Sequence, residues 1–406
     1  MTPLTGDVKR RSHTRNDSAR QAWFRRALDG VNYIRNYMQT FYEGISSMRF
    51  SIYLNPQTRG PQEDVAIIET TIEQAVRATT AGVQGVALTE HHFSGYNTYG
   101  NNFMLASHLC ALTPRETTFL LAVAVPPLHN PLRLAQSITL LDILTRGNLI
   151  VGFAAGGSPV EYAGLGRDPS VRHEQMYHNL EVMERALAKT ESDPPYEWET
   201  AFERGSLRTR IMPGPYRSTG PRFARATQND AGVLWTARKG WYLFTARETP
   251  DAIRNRFKLY VDVLADSGFD AAFIEERLEW CLVQKQIIIR DTDGEAIAFA
   301  RERMAEMGEH QRKNFTMTGD LKDSQHLKSV VGVSPQNPDE FLQKAMIVGS
   351  PGSVVEQIEA YAAAGARHMS LLFNFGFQTA AESGRSLDLF LQEVLPRFRA
   401  PAGDRT

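Results

Sequence analysis

Short apolar segments rich in Val, Ile, Leu and Phe recur along the chain from Phe50 onward. Most are followed by a segment whose apolar residues lie three or four positions apart, the period of a helix packed on one side. Several of the short segments, such as residues 119–125, are continuous apolar runs, which is typical of parallel strands covered on both faces. They predict eight strands, at residues 50–54, 85–89, 119–125, 149–154, 222–227, 241–245, 281–290 and 368–373.

The segments between these strands carry the end signals of helices. Pro131 suits the first position of one helix, and Ser350 and Gly365 suit the two ends of another. Eight strand–helix units that close on themselves form a (β/α)8 barrel, or TIM barrel, and this α/β architecture is the fold that we expect. An open, doubly wound sheet is the alternative.

Two stretches are longer than one strand–helix unit of the barrel requires. Residues 188–221 are rich in Pro, Gly and charge, and residues 305–348 are polar and irregular. We expect both to be insertions between the units of a barrel that spans residues 48–400. Active sites of such barrels lie at the C-terminal ends of the strands, where inserted segments form lids and walls. Residues 188–221 are therefore predicted to form the wall of a substrate site.

The first 47 residues differ in character from the rest of the chain. They contain eight Lys or Arg against four acidic residues, and no hydrophobic period continues from them into the first strand. We expect residues 1–47 to form a basic, poorly ordered extension outside the barrel, with an arm for an acidic partner as the alternative. Met48, directly before the first predicted strand, resembles a natural start.

The net charge and the cysteine content limit the classes of partner that we expect the protein to bind. Lys plus Arg is 45 and Asp plus Glu is 46, so the net charge of -1 gives no reason to expect nucleic acid or an anionic membrane. Cys110 and Cys281 are too few for a disulfide framework and lie outside any zinc-binding pattern. No apolar run is long enough to span a bilayer. We expect a cytoplasmic protein that acts on a small-molecule substrate.

The densest polar set after a predicted strand is Glu90-His91-His92. A histidine there suits general acid or base chemistry, because its ordinary pKa of about 6.5 lies near working pH. Neighbouring residues at a strand end point in opposite directions, so only one of the two histidines is expected to face a ligand. A structural role for both is the alternative. No metal site is expected, because the first strand ends without a ligand at residues 54–56.

Three later strands are also followed by candidate ligand-binding loops. His129 lies in a proline-rich turn after the third strand, where we expect it to support the site rather than touch the ligand. Ala155 and Gly156 follow the fourth strand, and their lack of large side chains lets backbone approach a flat or phosphorylated ligand. Residues 227–229 precede a helix whose first N–H groups suit a phosphate, with Asn229 as an ordinary helix cap as the alternative.

Taken in order, these motifs resemble the core of the bacterial luciferase-like flavin-dependent monooxygenases. The resemblance runs from Arg49 to about Phe398. It rests on the order of Glu90-His91-His92-Phe93, Gly100-Asn101, Pro127 to Arg133, Leu141 to Asn148, and Val348 to Val354. It implies a barrel that binds reduced FMN in its mouth, reacts it with O2 and oxidises a small organic substrate. It also implies a separate NAD(P)H-dependent flavin reductase and a homodimer.

The same resemblance assigns the catalytic role, in proton transfer and in stabilising the oxygenated flavin, to His91. It places a cis peptide bond between Ala122 and Val123, behind the flavin ring. Ala155 stands where luciferases have a phosphate-binding arginine, and Ala154 stands where some have a cysteine, which argues against light emission. The cofactor-binding residues implied in this way are Ala122, Val123, Ala155, Gly156, Thr227, Gln228 and Asn229. Gln228 and Asn229 replace the acidic and hydroxyl phosphate contacts of the luciferases.

Two alternatives share the expected fold. Related enzymes that use the deazaflavin F420 have an Asp-His pair at the end of the second strand, whereas this chain has Glu90-His91-His92, as the monooxygenases do. A non-catalytic flavin-binding protein is the other alternative. The chain has no Gly-x-Gly-x-x-Gly motif that would indicate NAD(P)H binding by a domain of its own.

Overall fold

The computed structural model describes residues 48–317 and 338–399, with the backbone alone over residues 311–317. The basic extension predicted over residues 1–47 lies outside the described residues. No described helix is both long enough and apolar enough to cross a membrane.

Parallel strands form the centre of the molecule. The strands of the described residues are β1 (Arg49–Leu54), β2 (Gly85–Leu88), β3 (Thr118–Ala124), β4 (Leu149–Phe153), β5 (Tyr196–Glu199), β6 (Arg204–Leu207), β7 (Arg222–Ala226), β8 (Tyr242–Ala246), β9 (Leu282–Ile289), β10 (Met346–Gly349) and β11 (His368–Leu372). Eight of them pair in parallel in the order β1-β2-β3-β4-β7-β8-β9-β11, and β11 pairs with β1 to close the ring. The prediction of a (β/α)8 barrel is confirmed.

Each of the eight predicted strands is present, and its bounds agree with the prediction to within one residue at either end. The remaining strands are β5 and β6, which form a separate antiparallel hairpin, and β10, which pairs in parallel with the second half of β9.

Helices cover the outside of the barrel. The α-helices are α1 (Asp64–Thr80), α2 (Asn102–Leu112), α3 (Pro131–Leu144), α4 (Pro159–Gly164), α5 (Arg172–Ala188), α6 (Asp230–Arg238), α7 (Pro250–Asp266), α8 (Ala271–Leu278), α9 (Asp293–Met317), α10 (Pro338–Ala345), α11 (Pro351–Ala363) and α12 (Ala380–Leu389). At the start of α3, the Asn130 side chain accepts hydrogen bonds from the backbone N–H groups of Leu132 and Arg133. Local sequence signals therefore set where this helix begins.

The interior of the barrel is filled by side chains beneath its C-terminal mouth. These buried residues are Ala87, Leu120, Ala122, Ile150, Ala224, Tyr242, Phe244 and Leu282. The Phe244 ring lies against Gly152 of β4, where a Cβ would come within 2.6 Å of the ring. Only glycine leaves room for this aromatic ring across the barrel.

The stretch predicted as an irregular insertion over residues 305–348 is largely regular where it is described. Helix α9 runs through its first part, and α10 and β10 occupy its end. The stretch is an insertion between β9 and β11, as expected, but the irregularity expected for it was wrong, because a helical period that begins before residue 305 was hidden among charged residues. Ala296, Ala300, Met304 and Met307 recur at intervals of three or four and are all buried.

The insertion over residues 188–221 contains the hairpin β5–β6, which packs outside the barrel. It follows α5, so it joins the barrel at the N-terminal ends of the strands. The turn between β5 and β6 nevertheless reaches the loops at the C-terminal ends of the strands. The Glu203 carboxylate accepts hydrogen bonds from Asn130 at 2.8 Å and from Arg167 at 3.2 Å, and Phe202 packs against His178 with ring centroids 5.5 Å apart.

Candidate active site

A cavity of about 560 Å³ opens at the C-terminal ends of the barrel strands, and each of the eight strands contributes to it directly or through the loop that follows it. All the site residues predicted from the sequence line this one cavity. They are His91, Ala122, Val123, Ala155, Gly156, Thr227, Gln228 and Asn229. The fold therefore brings together residues from four separate strand ends.

His91 is paired with a buried carboxylate. Its Nδ1 lies 2.9 Å from Oε1 of Glu161, which belongs to α4, and its ring meets the Tyr96 ring edge-on at 4.9 Å. The same carboxylate accepts the backbone N–H of His92 at 3.3 Å. A carboxylate beside Nδ1 favours the imidazole form that donates there, and this form carries a lone pair on Nε2. His91 can therefore take up a proton on its Nε2.

Glu90 is the centre of a second, buried cluster. Its Oε1 accepts from His129 Nε2 at 2.8 Å and from His92 Nε2 at 3.0 Å, and its Oε2 accepts the Val125 backbone N–H at 2.9 Å. Burial would raise the pKa of Glu90, but these hydrogen bonds outweigh it and lower the pKa to about 2. Glu90 is therefore a permanent buried anion that joins the loops after β2 and β3.

The two neighbouring histidines turn in opposite directions, as predicted. His91 lines the cavity, whereas His92 binds the Glu90 carboxylate, and that hydrogen bond raises the pKa of His92 above its ordinary value. His129 also binds Glu90, in keeping with the supporting role predicted for it. Among the described residues, no group of three or more His, Cys, Asp or Glu is arranged to hold a metal ion.

The peptide bond between Ala122 and Val123 is cis, as the resemblance implies. The carbonyl oxygens of both residues are held by side chains. Tyr53 donates its hydroxyl to Ala122 O at 3.1 Å, and Asn102 donates its Nδ2 to Val123 O at 3.1 Å. This stretch of the cavity wall is therefore fixed from β1 on one side and from α2 on the other.

A cationic cluster that the sequence analysis missed lies between β4 and β7. Arg172 and His173 open α5, and the Arg225 guanidinium of β7 lies 4.9 Å from the Tyr177 ring and 5.1 Å from the Trp235 ring. The Nε atoms of Arg172 and Arg225 are buried without a hydrogen-bond partner within the described residues. Burial lowers the pKa of His173, and the two arginines lower it further. The cluster is suited to an anion.

The residues after β7 have mixed roles. The Asn229 side chain accepts the Gly232 backbone N–H at 2.8 Å, so it caps α6 in the ordinary way. The Gln228 side chain donates to the backbone carbonyl of Ala246 at the end of β8. Thr227 packs so closely on Gly232 that a Cβ there would lie 2.1 Å from its Oγ1. The positively charged groups beside these residues are the arginines, and a role of Thr227, Gln228 and Asn229 in cofactor binding stays a prediction.

The prediction that residues 188–221 form the cavity wall is wrong. None of them lines the cavity, and the wall between β4 and β7 consists of residues 154–157, Glu161 and residues 172–173. The physical reason is the position of the insertion. A segment that connects a helix to the following strand enters at the N-terminal face of the barrel, away from the mouth.

Curated relatives match from less than a third to almost nine tenths of the chain, and for some of them the match spans less than two thirds of their own length. The oxygenase component of the flavin-dependent trigonelline monooxygenase of Acinetobacter baylyi is 20% identical over 378 residues, which cover 88% of this chain and 98% of that protein. An uncharacterised protein of Sinorhizobium fredii is 31% identical over 122 residues, 29% of this chain and 34% of that protein. The alkanal monooxygenase alpha chain of the Kryptophanaron alfredi symbiont is 20% identical over 239 residues, 57% of this chain and 64% of its own length.

Solved structures share the architecture. The monooxygenase RslO1 from Streptomyces bottropensis has a TM-score of 0.69 at 21% identity, and it is covered completely by 87% of this chain. The oxygenating constituent of a 3,6-diketocamphane monooxygenase from Pseudomonas putida, solved with FMN, has a TM-score of 0.68 at 19% identity, with 87% and 100% covered. An F420-dependent secondary alcohol dehydrogenase has a TM-score of 0.67 at 16% identity, with the same coverage.

At these identities the structural matches show a shared fold. The sequence match is more specific, because the family model for luciferase-like monooxygenases covers residues 48–368. This chain belongs to the luciferase-like monooxygenase family.

Proposed function

We propose that the protein is a flavin-dependent monooxygenase that binds reduced FMN in the cavity and uses O2 to oxidise a small organic substrate. The observation that carries this proposal is one cavity that combines the His91–Glu161 pair with a cationic cluster, in which Arg172 and Arg225 carry the charge beside His173. Bound reduced FMN would supply the electrons that activate O2. A separate NAD(P)H-dependent flavin reductase would deliver it, and the relative from Acinetobacter baylyi is itself named as an oxygenase component.

The residues of the cavity fit FMN in two respects. The guanidinium groups of Arg172 and Arg225 line the cavity, and a phosphate offers them several charged oxygens. The backbone of Gly156 lies close to the loop after β3, with φ of 63°, and a Cβ there would lie 2.8 Å from Val125 Cγ1. Small residues at Ala122, Ala155 and Gly156 leave room for a flat ring system against the backbone.

The proposed chemistry of the protein itself centres on His91. Its Nε2 takes a proton from the reacting atoms and returns it, while Glu161 holds the Nδ1–H and stabilises the imidazolium that forms in between. Apolar side chains below the mouth, including Phe244, Leu282 and Leu372, limit the access of water. Glu90 connects the loops after β2 and β3 through its hydrogen bonds, and none of these bonds is made with the His91 side chain.

The test of the proposal is an anaerobic titration with FMNH2, followed by stopped-flow absorbance after addition of O2. We expect saturable binding and a long-lived absorbance transient that free FMNH2 does not give. The alternative is hydride transfer with F420, which the structural match to an F420-dependent alcohol dehydrogenase supports. Oxidation at the rate of free FMNH2, together with tight binding of F420, would favour that alternative over the monooxygenase.

The cationic cluster gives a second test of FMN as the cofactor. Arg225→Gln should weaken FMN binding by about 10- to 100-fold, the scale of a charged hydrogen bond, because the phosphate loses its partner. Riboflavin, which lacks the phosphate, should bind the variant and the parent equally. Dissociation constants follow from quenching of flavin fluorescence. Arg254→Gln, at an exposed arginine of α7, is the matched control, and an equal loss for riboflavin would refute a phosphate role.

Two further expectations belong to the same proposal. A homodimer is expected, and the exposed side chains of Leu140, Ile143 and Leu144 on one face of α3 are candidates for burial against a second copy. Sedimentation velocity would test for this homodimer.

Cys110 and Cys281 are both free, which suits the cytoplasmic location that we propose. Cell fractionation would test this location.

A further inference from the structure

The orientation of the His91 imidazole decides which of its nitrogens can exchange a proton in the cavity. The torsion that turns an imidazole about its attachment is broad, so the ring has no strong preference of its own. Its Nδ1 lies 2.9 Å from Glu161 Oε1, and this contact fixes the position of one ring atom. A hydrogen bond at a single atom leaves the plane of the ring free to turn. A second contact is needed to fix that plane.

Tyr96 supplies a contact of this kind. Its ring meets the His91 ring at a centroid distance of 4.9 Å and an interplanar angle of 82°, the edge-to-face arrangement that aromatic pairs prefer. Tyr96 is half-buried and lines the same cavity as His91. Glu161 belongs to α4, whereas Tyr96 belongs to the loop after β2, so the two contacts reach the imidazole from separate segments.

The loop that carries Tyr96 is fixed on both sides of this residue. The Gly95 carbonyl accepts the backbone N–H of Thr58 at 3.1 Å. Thr98 donates its backbone N–H at 2.8 Å and its hydroxyl at 3.0 Å to the carbonyl of Pro56. These bonds tie the loop after β2 to the loop after β1.

Two further residues of this loop are buried and bonded to the barrel. Asn97 donates its Nδ2 to Thr89 Oγ1 at 3.0 Å. The Tyr99 hydroxyl donates to the Leu54 carbonyl at 2.6 Å and accepts the Thr89 backbone N–H at 3.0 Å. Tyr96 is therefore presented to the cavity on a rigid support, as precise placement of a neighbouring group requires.

Gly95 leaves this loop little room to shift. Its φ is 67°, and a Cβ there would lie 3.1 Å from the Thr58 carbonyl oxygen and 3.4 Å from Nε2 of His310 on α9. The loop is thus packed between the loop after β1 and α9, and Tyr96 keeps its place beside His91.

We propose that Tyr96 is a positioning residue of the active site, whose ring keeps the His91 imidazole in the plane that pairs Nδ1 with Glu161 and leaves Nε2 for proton transfer. Tyr96 acts through His91 and not on the reacting atoms. Without this ring, the imidazole also adopts planes in which Nδ1 leaves Glu161, and the form with a lone pair on Nε2 is no longer favoured. This inference rests on the proposed function, because it concerns the proton transfer assigned to His91.

The first test needs no cofactor. Long-range proton–nitrogen NMR spectra of protein made with isotope-labelled histidine report which ring nitrogen carries the hydrogen, and His91→Ala identifies the signals of His91. We expect the parent to carry it on Nδ1. Tyr96→Leu should move both ring nitrogen signals towards the average of the two neutral forms, and Tyr96→Phe should restore the parent pattern because it restores the ring. Unchanged nitrogen signals in Tyr96→Leu would overturn the proposal.

The second test uses protein loaded with FMNH2. After addition of O2, the lifetime of the absorbance transient should be about 2- to 10-fold shorter in Tyr96→Leu than in the parent, the scale of losing one aromatic pair. Tyr96→Phe should recover the lifetime. Tyr216→Leu, which removes an exposed tyrosine that does not line the cavity, is the matched control and should keep the parent lifetime.

FMN affinity and circular dichroism, measured on the same variants, separate the possible failures. If the parent binds no FMN or gives no transient, the proposed function fails, and the NMR test alone decides the role of Tyr96. If Tyr96→Leu does not fold, Tyr96→Met takes its place in both tests. A parent-like lifetime in Tyr96→Leu, a loss that Tyr96→Phe does not recover, or a loss of FMN affinity that accounts for the shorter lifetime would each overturn the proposal.

Discussion

Replacing His91 with alanine should leave FMN binding intact and lower product formation by about 10² to 10⁴, the usual effect of losing a general acid or base. The physical reason is the loss of the imidazole that lines the cavity beside the buried carboxylate of Glu161. The measurement is the rate of product formation per equivalent of FMNH2, with FMN affinity determined in parallel.

The matched control for this experiment is His108→Ala. His108 is exposed on α2 and does not line the cavity, so its loss should leave turnover unchanged. The companion variant Glu161→Gln should shift the pH dependence of turnover, because a neutral amide no longer stabilises the protonated imidazole. Unchanged turnover in His91→Ala would remove His91 from the mechanism.

Replacing Glu90 with glutamine should lower the free energy of unfolding by about 3 to 5 kcal/mol, the cost of breaking a buried charged cluster. The carboxylate accepts three hydrogen bonds, from His92, His129 and the Val125 N–H. A glutamine amide presents donors where acceptors are needed, so at least one buried donor loses its partner. Urea-induced unfolding followed by circular dichroism measures the change.

An exposed glutamate provides the control for this substitution. Glu359→Gln on α11 changes the same chemical group at the surface, and it should alter stability by less than about 0.5 kcal/mol. If Glu90→Gln proved as stable as this control, the cluster would contribute little to the fold.

The same carboxylate predicts a pH dependence of stability. Its pKa falls from 4.5 to about 2 on folding, so its contribution is fully present above pH 4.5 and is lost as the pH falls towards 2. The stability of the parent protein should therefore drop more steeply over this range than that of Glu90→Gln. His92 acts in the opposite sense. Its pKa is raised, so its contribution is complete below its unfolded value of 6.5 and declines as the pH rises through the folded value.

The barrel and the position of its mouth were predictable because each rests on a local signal. A parallel strand covered on both faces is largely apolar, and such segments stand out from their surroundings. Polar residues at a strand end, such as His91, are conspicuous for the same reason. Ala155 and Gly156 were predicted to bind the cofactor, and both line the same cavity as His91.

The partners of these residues were not predictable, because they depend on how distant segments fold together. Glu161 lies 70 positions from His91 and reaches it only through the loop and helix after β4. Arg225 has the position of an ordinary strand residue, and nothing local shows that two aromatic rings from α5 and α6 enclose it. An arginine within a short, largely apolar strand is nevertheless an uncommon choice that invites a search for an anion.

The hairpin β5–β6 begins on the face of the barrel opposite to the cavity, yet its turn is tied to the rim. Glu203 binds Asn130 at the start of α3 and Arg167 in the loop that leads to Arg172. Shortening the hairpin would remove both bonds without deleting any residue that lines the cavity. A surface insertion that does not line the cavity thus holds two of the loops at its mouth. We expect changes in this insertion to alter ligand affinity while the residues of the site stay the same.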